Sequence, residues 1–284
     1  MSQVPERDAK MPRIWWCPTG PLAFLPIHAA GVYNKGRSTP GHCLADFAVS
    51  SYIPTLNILI DKSDFRNDIT DAASGLLMIS QAKTPGLADI PFAREEVEKI
   101  QALLSMRGVI SSVLDNQHGT VDRVLQSMES LSCVHLACHA FQHMTNPLES
   151  AICLHDGRLE LAEIIKRNLP HADFAFMSAC QTSKGDEKLT EEAVHLAAGM
   201  LAAGYRSVVG TMWSIFDKHG PDMAEFFYES LLEYTTDVKG QPKLDGRDAA
   251  RSLHRATERL RENIQVSDSP DSLLAWVPYI HVGV

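Results

Sequence analysis

A thiol becomes a nucleophile when a base stands beside it, and two segments of this chain carry such a pair. One is Cys133-Val134-His135-Leu136-Ala137-Cys138-His139-Ala140 and the other is Phe174-Ala175-Phe176-Met177-Ser178-Ala179-Cys180-Gln181-Thr182. Each is an apolar run of strand length that ends in a reactive residue followed by small or polar ones. Ligands and catalytic groups gather at the carboxyl edge of parallel sheets. A His at one strand end and a Cys at a neighbouring strand end therefore form a candidate nucleophile and base. On this reading His139 and Cys180 are the pair.

Successive strand residues face opposite sides. Cys133, His135 and Ala137 share one face, and Val134, Leu136 and Cys138 the other. His135 then reads as a packed histidine inside the strand. Cys138, adjacent to His139 and diverging from it, reads as a core thiol. Plain core packing also accounts for a Cys at a strand end, because free Cys is among the most buried residue types. A zinc site from His135, Cys138, His139 and His143 is a further alternative, although its spacing follows no usual ligand pattern.

Positioning these residues takes a sheet. Alternating patterns predict strands at 13–17, 22–25, 49–56, 76–80, 109–114, 132–138, 151–154, 173–178, 206–213 and 279–282. The first two, joined by Pro18-Thr19-Gly20-Pro21, read as an N-terminal β-hairpin. Helical periodicity predicts helices at 92–106, 120–128, 160–168, 190–203, 222–232 and 247–263, with Thr190 as a cap. Glu95, Glu96 and Glu98 lie in the early turns of the first, where acids suit the helix dipole. Residues 34–46 and 62–73 read as loop and connector. Strands alternating with helices imply an α/β fold with a mostly parallel sheet covered on both faces. Residues 1–11 read as a disordered lead, and 12–284 as one domain.

The bulk composition narrows the partners. The 284 residues are 45% hydrophobic and 21% charged, with a formal net charge of −9. An acidic balance argues against nucleic acid or an anionic membrane as the main partner. No stretch reaches membrane-spanning length. The six cysteines contain no Cys-x-x-Cys pair, and the polar start does not read as a signal peptide. The expectation is a reduced, cytoplasmic protein.

These residues resemble the CHAT domain, the caspase-like module of the clan CD cysteine peptidases that also includes separase, caspases and gingipains. The family's His-Leu-Ala-x-His-Gly pattern is matched by His135-Leu136-Ala137-Cys138-His139-Ala140, and its Ser-Ala-Cys-x-Thr by Ser178-Ala179-Cys180-Gln181-Thr182. Three more stretches are similar: Trp16-Cys17-Pro18-Thr19-Gly20-Pro21-Leu22, Asn146-Pro147-Leu148-Glu149-Ser150-Ala151-Ile152-Cys153-Leu154, and the run from Ala202 to Trp213. The resemblance implies a caspase-like three-layer α/β/α sandwich with an N-terminal β-hairpin. It implies His139 and Cys180 as catalytic residues, with the backbone N–H groups of Ala140 and Cys180 as oxyanion donors. It implies no metal and no organic cofactor. Ala140 departs from the usual Gly, which matters if that position needs a positive φ.

The resemblance further implies a cysteine endopeptidase acting on peptide or protein substrates in regulated proteolysis or signalling. Its partners would be a regulatory protein or an N-terminal helical-repeat region. Trp213-Ser214-Ile215-Phe216-Asp217 is similar to the segment that receives the residue before the cut. Trp213 and Asp217 would then select Arg or Lys, with Asp186 and Glu187 as second candidates. An ordinary helix-start Asp is the plain alternative for Asp217. Two rivals from other classes stay open: a catalytically inactive caspase-like interaction module, and a metal-binding regulatory domain.

Overall fold

The structure is a computed structural model that describes residues 11–34, 37–59, 74–141, 143, 145–167, 169–178, 180–181, 192–213, 215, 217–234, 236–238, 241–264 and 271–284. Its elements begin with β1 (Arg13–Trp16), 3-10 turns at Gly20–Phe24 and Ile27–Ala29, β2 (Gly31–Asn34), β3 (Arg37–Cys43) and β4 (Val49–Tyr52). Next come β5 (Leu76–Ser80), α1 (Phe92–Arg107), β6 (Ser111–Asp115), α2 (Val121–Ser130), β7 (Cys133–Ala137), β8 (His139–Phe141), β9 (Ala151–Cys153) and β10 (Arg158–Glu160). They are followed by α3 (Leu161–Lys166), β11 (Phe174–Met177), β12 (Cys180–Gln181), α4 (Glu192–Ala202), β13 (Ser207–Thr211) and α5 (Gly220–Glu233). The chain closes with β14 (Thr236–Val238), β15 (Gln241–Lys243), α6 (Ala249–Ile264), α7 (Asp271–Leu274) and β16 (Tyr279–Gly283).

An eight-stranded sheet in the order β1-β4-β16-β13-β11-β7-β5-β6 forms the middle layer. Its pairings are parallel except for β13 with β16. Every residue of β5, β7, β11, β13 and β16 is buried. That is why these strands read as continuous apolar runs: helices cover both of their faces. The strand alternation sorts side chains between two cores. Leu77, Ile79, Val134, Leu136 and Ala175 face α2, α3 and α4. Leu76, Met78, Cys133, Phe174 and Phe176 face α1, α5 and α6. The result is a three-layer α/β/α sandwich, the architecture expected.

A second, smaller sheet, β10-β9-β8-β12, continues from the carboxyl edge of the first. Strand β8 follows directly on β7, and β12 follows on β11. The helix α1 is the amphipathic segment that the sequence predicts, with Ala93, Val97, Ile100 and Leu104 buried. It stops at Gly108, whose φ of 69° is left-handed and open to a residue without Cβ.

The N-terminal region differs in detail from the expectation. Residues 22–25 are not a strand, because Pro21 starts a 3-10 turn and Leu22 and Leu25 stay exposed without a strand neighbour. The hairpin instead joins β2 to β3, of which β3 falls within the 34–46 stretch expected to be loop. Its polar sequence hid a ladder that backbone hydrogen bonds alone can form. Met11 belongs to the fold: it is buried near Val49 and Ala250, and its carbonyl accepts from Arg251. Farther along, β14 and β15 form a short antiparallel pair. Residues 1–10 of the expected 1–11 lead, the connector at 62–73 and the Thr190 cap lie outside the described residues. Among the described residues no helix is long and apolar enough to cross a membrane.

Candidate active site

The site begins with two neighbouring strands held in one register. In β7 and β11, Cys133 pairs with Phe174 and Leu136 with Met177. The parallel pairing resumes beyond the strand ends at the same sequence offset, with His139 opposite Cys180 and Ala140 opposite Gln181. The structure thus makes the backbones of the expected base and nucleophile direct partners. On its other side β8 pairs antiparallel with β9, placing Cys153 opposite His139 and Ile152 opposite Ala140. Among the described residues, strand β12 pairs with β8 alone and stands at the edge of this sheet.

His139 is 3% exposed. Its Nε2 lies 2.7 Å from the carbonyl oxygen of Ala88. A carbonyl only accepts, so Nε2 carries a hydrogen, and Nδ1 is the ring nitrogen left for another partner. Nδ1 is buried and has no partner among the described residues. The loop ahead of α1 therefore fixes both the ring and its tautomer. Ala140 lies in extended strand, and Asn116 is the one non-glycine with a positive φ among the described residues. The Ala in place of the family's Gly therefore carries no backbone strain.

Asp217 stands in the 3-10 turn Asp217–His219 that leads into α5. The Phe92 N–H donates to its Oδ2 at 3.2 Å. The preceding residue, Pro91, offers no side-chain cap to α1, so Asp217 caps that helix from another element. Burial pushes the Asp217 carboxyl above its ordinary value. The Phe92 bond opposes this, nearby Glu96 adds to it, and His139 opposes it again. Asp217 and His139 are thus within electrostatic reach of each other. Trp213, half-buried, packs against both hydrophobic cores. Asp186 and Glu187 lie outside the described residues.

His135 is fully buried and stacks on Phe176, with ring centroids 4.9 Å apart, as a packed strand histidine should. Cys138 lies in the opposite core, where burial pushes its thiol well up. His143 turns to its own loop, accepting from the Asn146 N–H at 3.0 Å and meeting Glu149 at 3.2 Å. The expected alternative of a zinc site has no counterpart here. Among the described residues no group of three or more His, Cys, Asp or Glu side chains is arranged to hold a metal ion.

Sequence reasoning missed two participants. The Ala88 carbonyl leaves no trace in residue type, because any residue supplies one. Glu96 did leave a signal: it falls on the apolar stripe of α1 between Ala93 and Ile100. A carboxylate at such a position is a buried charge that needs partners. Ser178 is one of them, its hydroxyl donating to Glu96 Oε2 at 3.0 Å.

Known proteins agree with this architecture. A family model described as the CHAT domain matches residues 2–284. No curated protein matches. Among solved structures, a Saccharomyces cerevisiae separase–securin complex is similar at a TM-score of 0.52 and 14% identity, over 85% of this chain and 14% of that one. A second separase–securin complex from Saccharomyces cerevisiae gives a TM-score of 0.52 at 11% identity, again over 85% and 14%. The Arg-specific cysteine proteinase gingipain R gives 0.47 at 12% identity, over 83% of this chain and 54% of that one. The chain therefore spans a small part of separase and about half of gingipain R.

Proposed function

The chain belongs to the CHAT domain family, and on that premise we propose that it is a cysteine endopeptidase of the caspase/separase type that cleaves after a basic residue. The observation that carries this reading is the pairing of His139 with Cys180 in adjacent parallel strands. Paired strands lie about 4.8 Å apart, a backbone spacing that supports a thiol–imidazole pair at these two positions. With Nε2–H committed to Ala88, Nδ1 of His139 is the atom left to take the proton of Cys180.

In this mechanism the thiolate attacks the peptide carbonyl carbon, and the C–S bond forms as the carbonyl electrons move to oxygen. The N–H groups of Ala140 and Cys180 are the donors for that oxygen. Collapse breaks the C–N bond, and His139 returns its proton to the leaving amine. Water, deprotonated by His139, then cleaves the thioester. Asp217, with Trp213 beside it in sequence, would receive the basic side chain before the cut. A carboxylate already destabilised by burial gains from an arriving cation. Free thiols at Cys17, Cys43, Cys133, Cys138 and Cys153 fit a reduced, cytoplasmic setting. The separase structures hold securin; a protein regulator that governs proteolysis or signalling is the corresponding partner proposed here.

The test is cleavage of fluorogenic peptides ending in Arg or Lys, with labelling by a peptidyl acyloxymethyl ketone. Wild type should cleave and label. Cys180→Ala should do neither, and His139→Ala should lose about 10²–10⁴-fold in kcat. A folded wild type that neither cleaves nor labels would leave the interaction module in place of the peptidase.

A further inference from the structure

One buried side chain meets the segments that lead to His139 and to Cys180 without taking part in the chemistry proposed for them. Glu96 of α1 is 2% exposed. Its Oε2 accepts from the Ser178 hydroxyl at 3.0 Å. Its Oε1 is 3.1 Å from His135 Nε2, within ion-pair distance but too bent for a hydrogen bond. The other ring nitrogen of His135 lies 3.2 Å from the Tyr228 hydroxyl. Gly220 opens α5 against the same carboxylate, and a Cβ there would stand 2.8 Å from Glu96 Oε2. Glu96 thus rests at the amino end of a helix, where the dipole favours an anion. Titratable groups within its electrostatic reach are His135, Tyr228, Cys138 and Asp217.

Each contact reaches a different part of the site. Ser178 sits on the segment that carries β11 into Cys180. His135 lies on β7, the strand that leads into His139. Gly220 follows the turn that bears Asp217. The same helix α1 is capped by Asp217, and the loop before it holds His139 through Ala88. Folding alone does not require a carboxylate at position 96. An apolar residue would extend the stripe of Ala93, Val97 and Ile100, and burying a charge is costly unless it is paired. Strand β12, paired with β8 alone among the described residues, gains an anchor from the Ser178 contact.

We propose that Glu96 is a positioning residue that holds the Cys180 strand tip, through Ser178, and the His139 strand, through His135, in the register the dyad requires. The inference rests on the peptidase reading of the site. Misplacement of reacting groups by about 1 Å can cost about 10²-fold in rate.

The experiment follows alkylation of Cys180 by iodoacetamide against pH in the full chain, read by peptide mass spectrometry. Thermal melting, kcat and KM on an Arg peptide are measured in parallel. Glu96→Gln and Ser178→Ala should each move the alkylation profile to higher pH and lower kcat about ten- to hundred-fold with KM held. The double variant should be no worse than the worse single one, since both act through one contact. Ser178→Thr, which keeps the hydroxyl, should recover most of the loss. A folded Glu96→Gln or Ser178→Ala with the wild-type profile and kcat overturns the proposal. If Glu96→Gln does not fold, Ser178→Ala decides. His139→Ala separates the two layers. An unchanged profile there removes the peptidase reading and this inference with it. A shift there, with Ser178→Ala inert, removes only the role of Glu96.

Discussion

Replacing Asp173 by Asn should abolish a pH-dependent loss of stability at the base of β11. Asp173 is 1% exposed, and its Oδ2 accepts from the Gly246 N–H at 2.8 Å. Its other oxygen has no partner among the described residues. Burial, the largest cause, raises its carboxyl from 3.8 to about 6; Asp245 adds to this, while the Gly246 bond, Arg206 and Arg247 oppose it. Between those two values the native state holds more protons than the unfolded chain, so stability falls as pH rises through the window. The step from 3.8 to about 6, at about 1.4 kcal/mol per tenfold in proton affinity, amounts to about 3 kcal/mol. The stability is therefore present below pH 3.8 and gone above pH 6. The assay is urea unfolding of wild type and Asp173→Asn at pH 4 and pH 7. Other titrating groups act in both proteins and cancel in the difference. The variant should gain about 2.4 kcal/mol on wild type between the two pH values, because at pH 4 the unfolded carboxyl is already partly ionised. Parallel curves would refute the claim that Asp173 is buried as a poorly satisfied carboxylate.

Three further outcomes follow from the site. Gly220→Ala should destabilise by about 1–2 kcal/mol in denaturant unfolding, because a Cβ 2.8 Å from Glu96 Oε2 displaces a charged hydrogen bond that outweighs the helix-propensity gain. A stabilised variant would mean that the carboxylate moves freely. Ala140→Gly should leave kcat within about twofold, since the position is extended and glycine's freedom goes unused; a large gain in peptide hydrolysis would contradict that. Asp217→Asn should weaken kcat/KM for Arg peptides about tenfold or more relative to neutral ones, a loss typical of a charged hydrogen bond. An unchanged preference would leave Asp217 as a cap of α1 alone.

Residue order alone determined a good deal here. Continuous apolar runs marked the strands that helices cover on both faces, because a doubly covered strand has no polar side to display. Strand alternation assigned His135 and Cys138 to opposite cores, and the two motifs named His139 and Cys180. The hairpin was misplaced by one segment, since a ladder made of backbone bonds shows little in a polar sequence such as 37–43.

Only the tertiary structure set the register that places His139 opposite Cys180, because no residue type encodes which strands become neighbours. It alone brought the Ala88 carbonyl to His139, fixing a tautomer through an atom every residue possesses. It turned Glu96 from one of several acids near a helix start into the buried tie between Ser178 and His135. The physical reason is common to all three. Side-chain type fixes what a residue can bond, while the packing of helices on the sheet fixes which partner it meets.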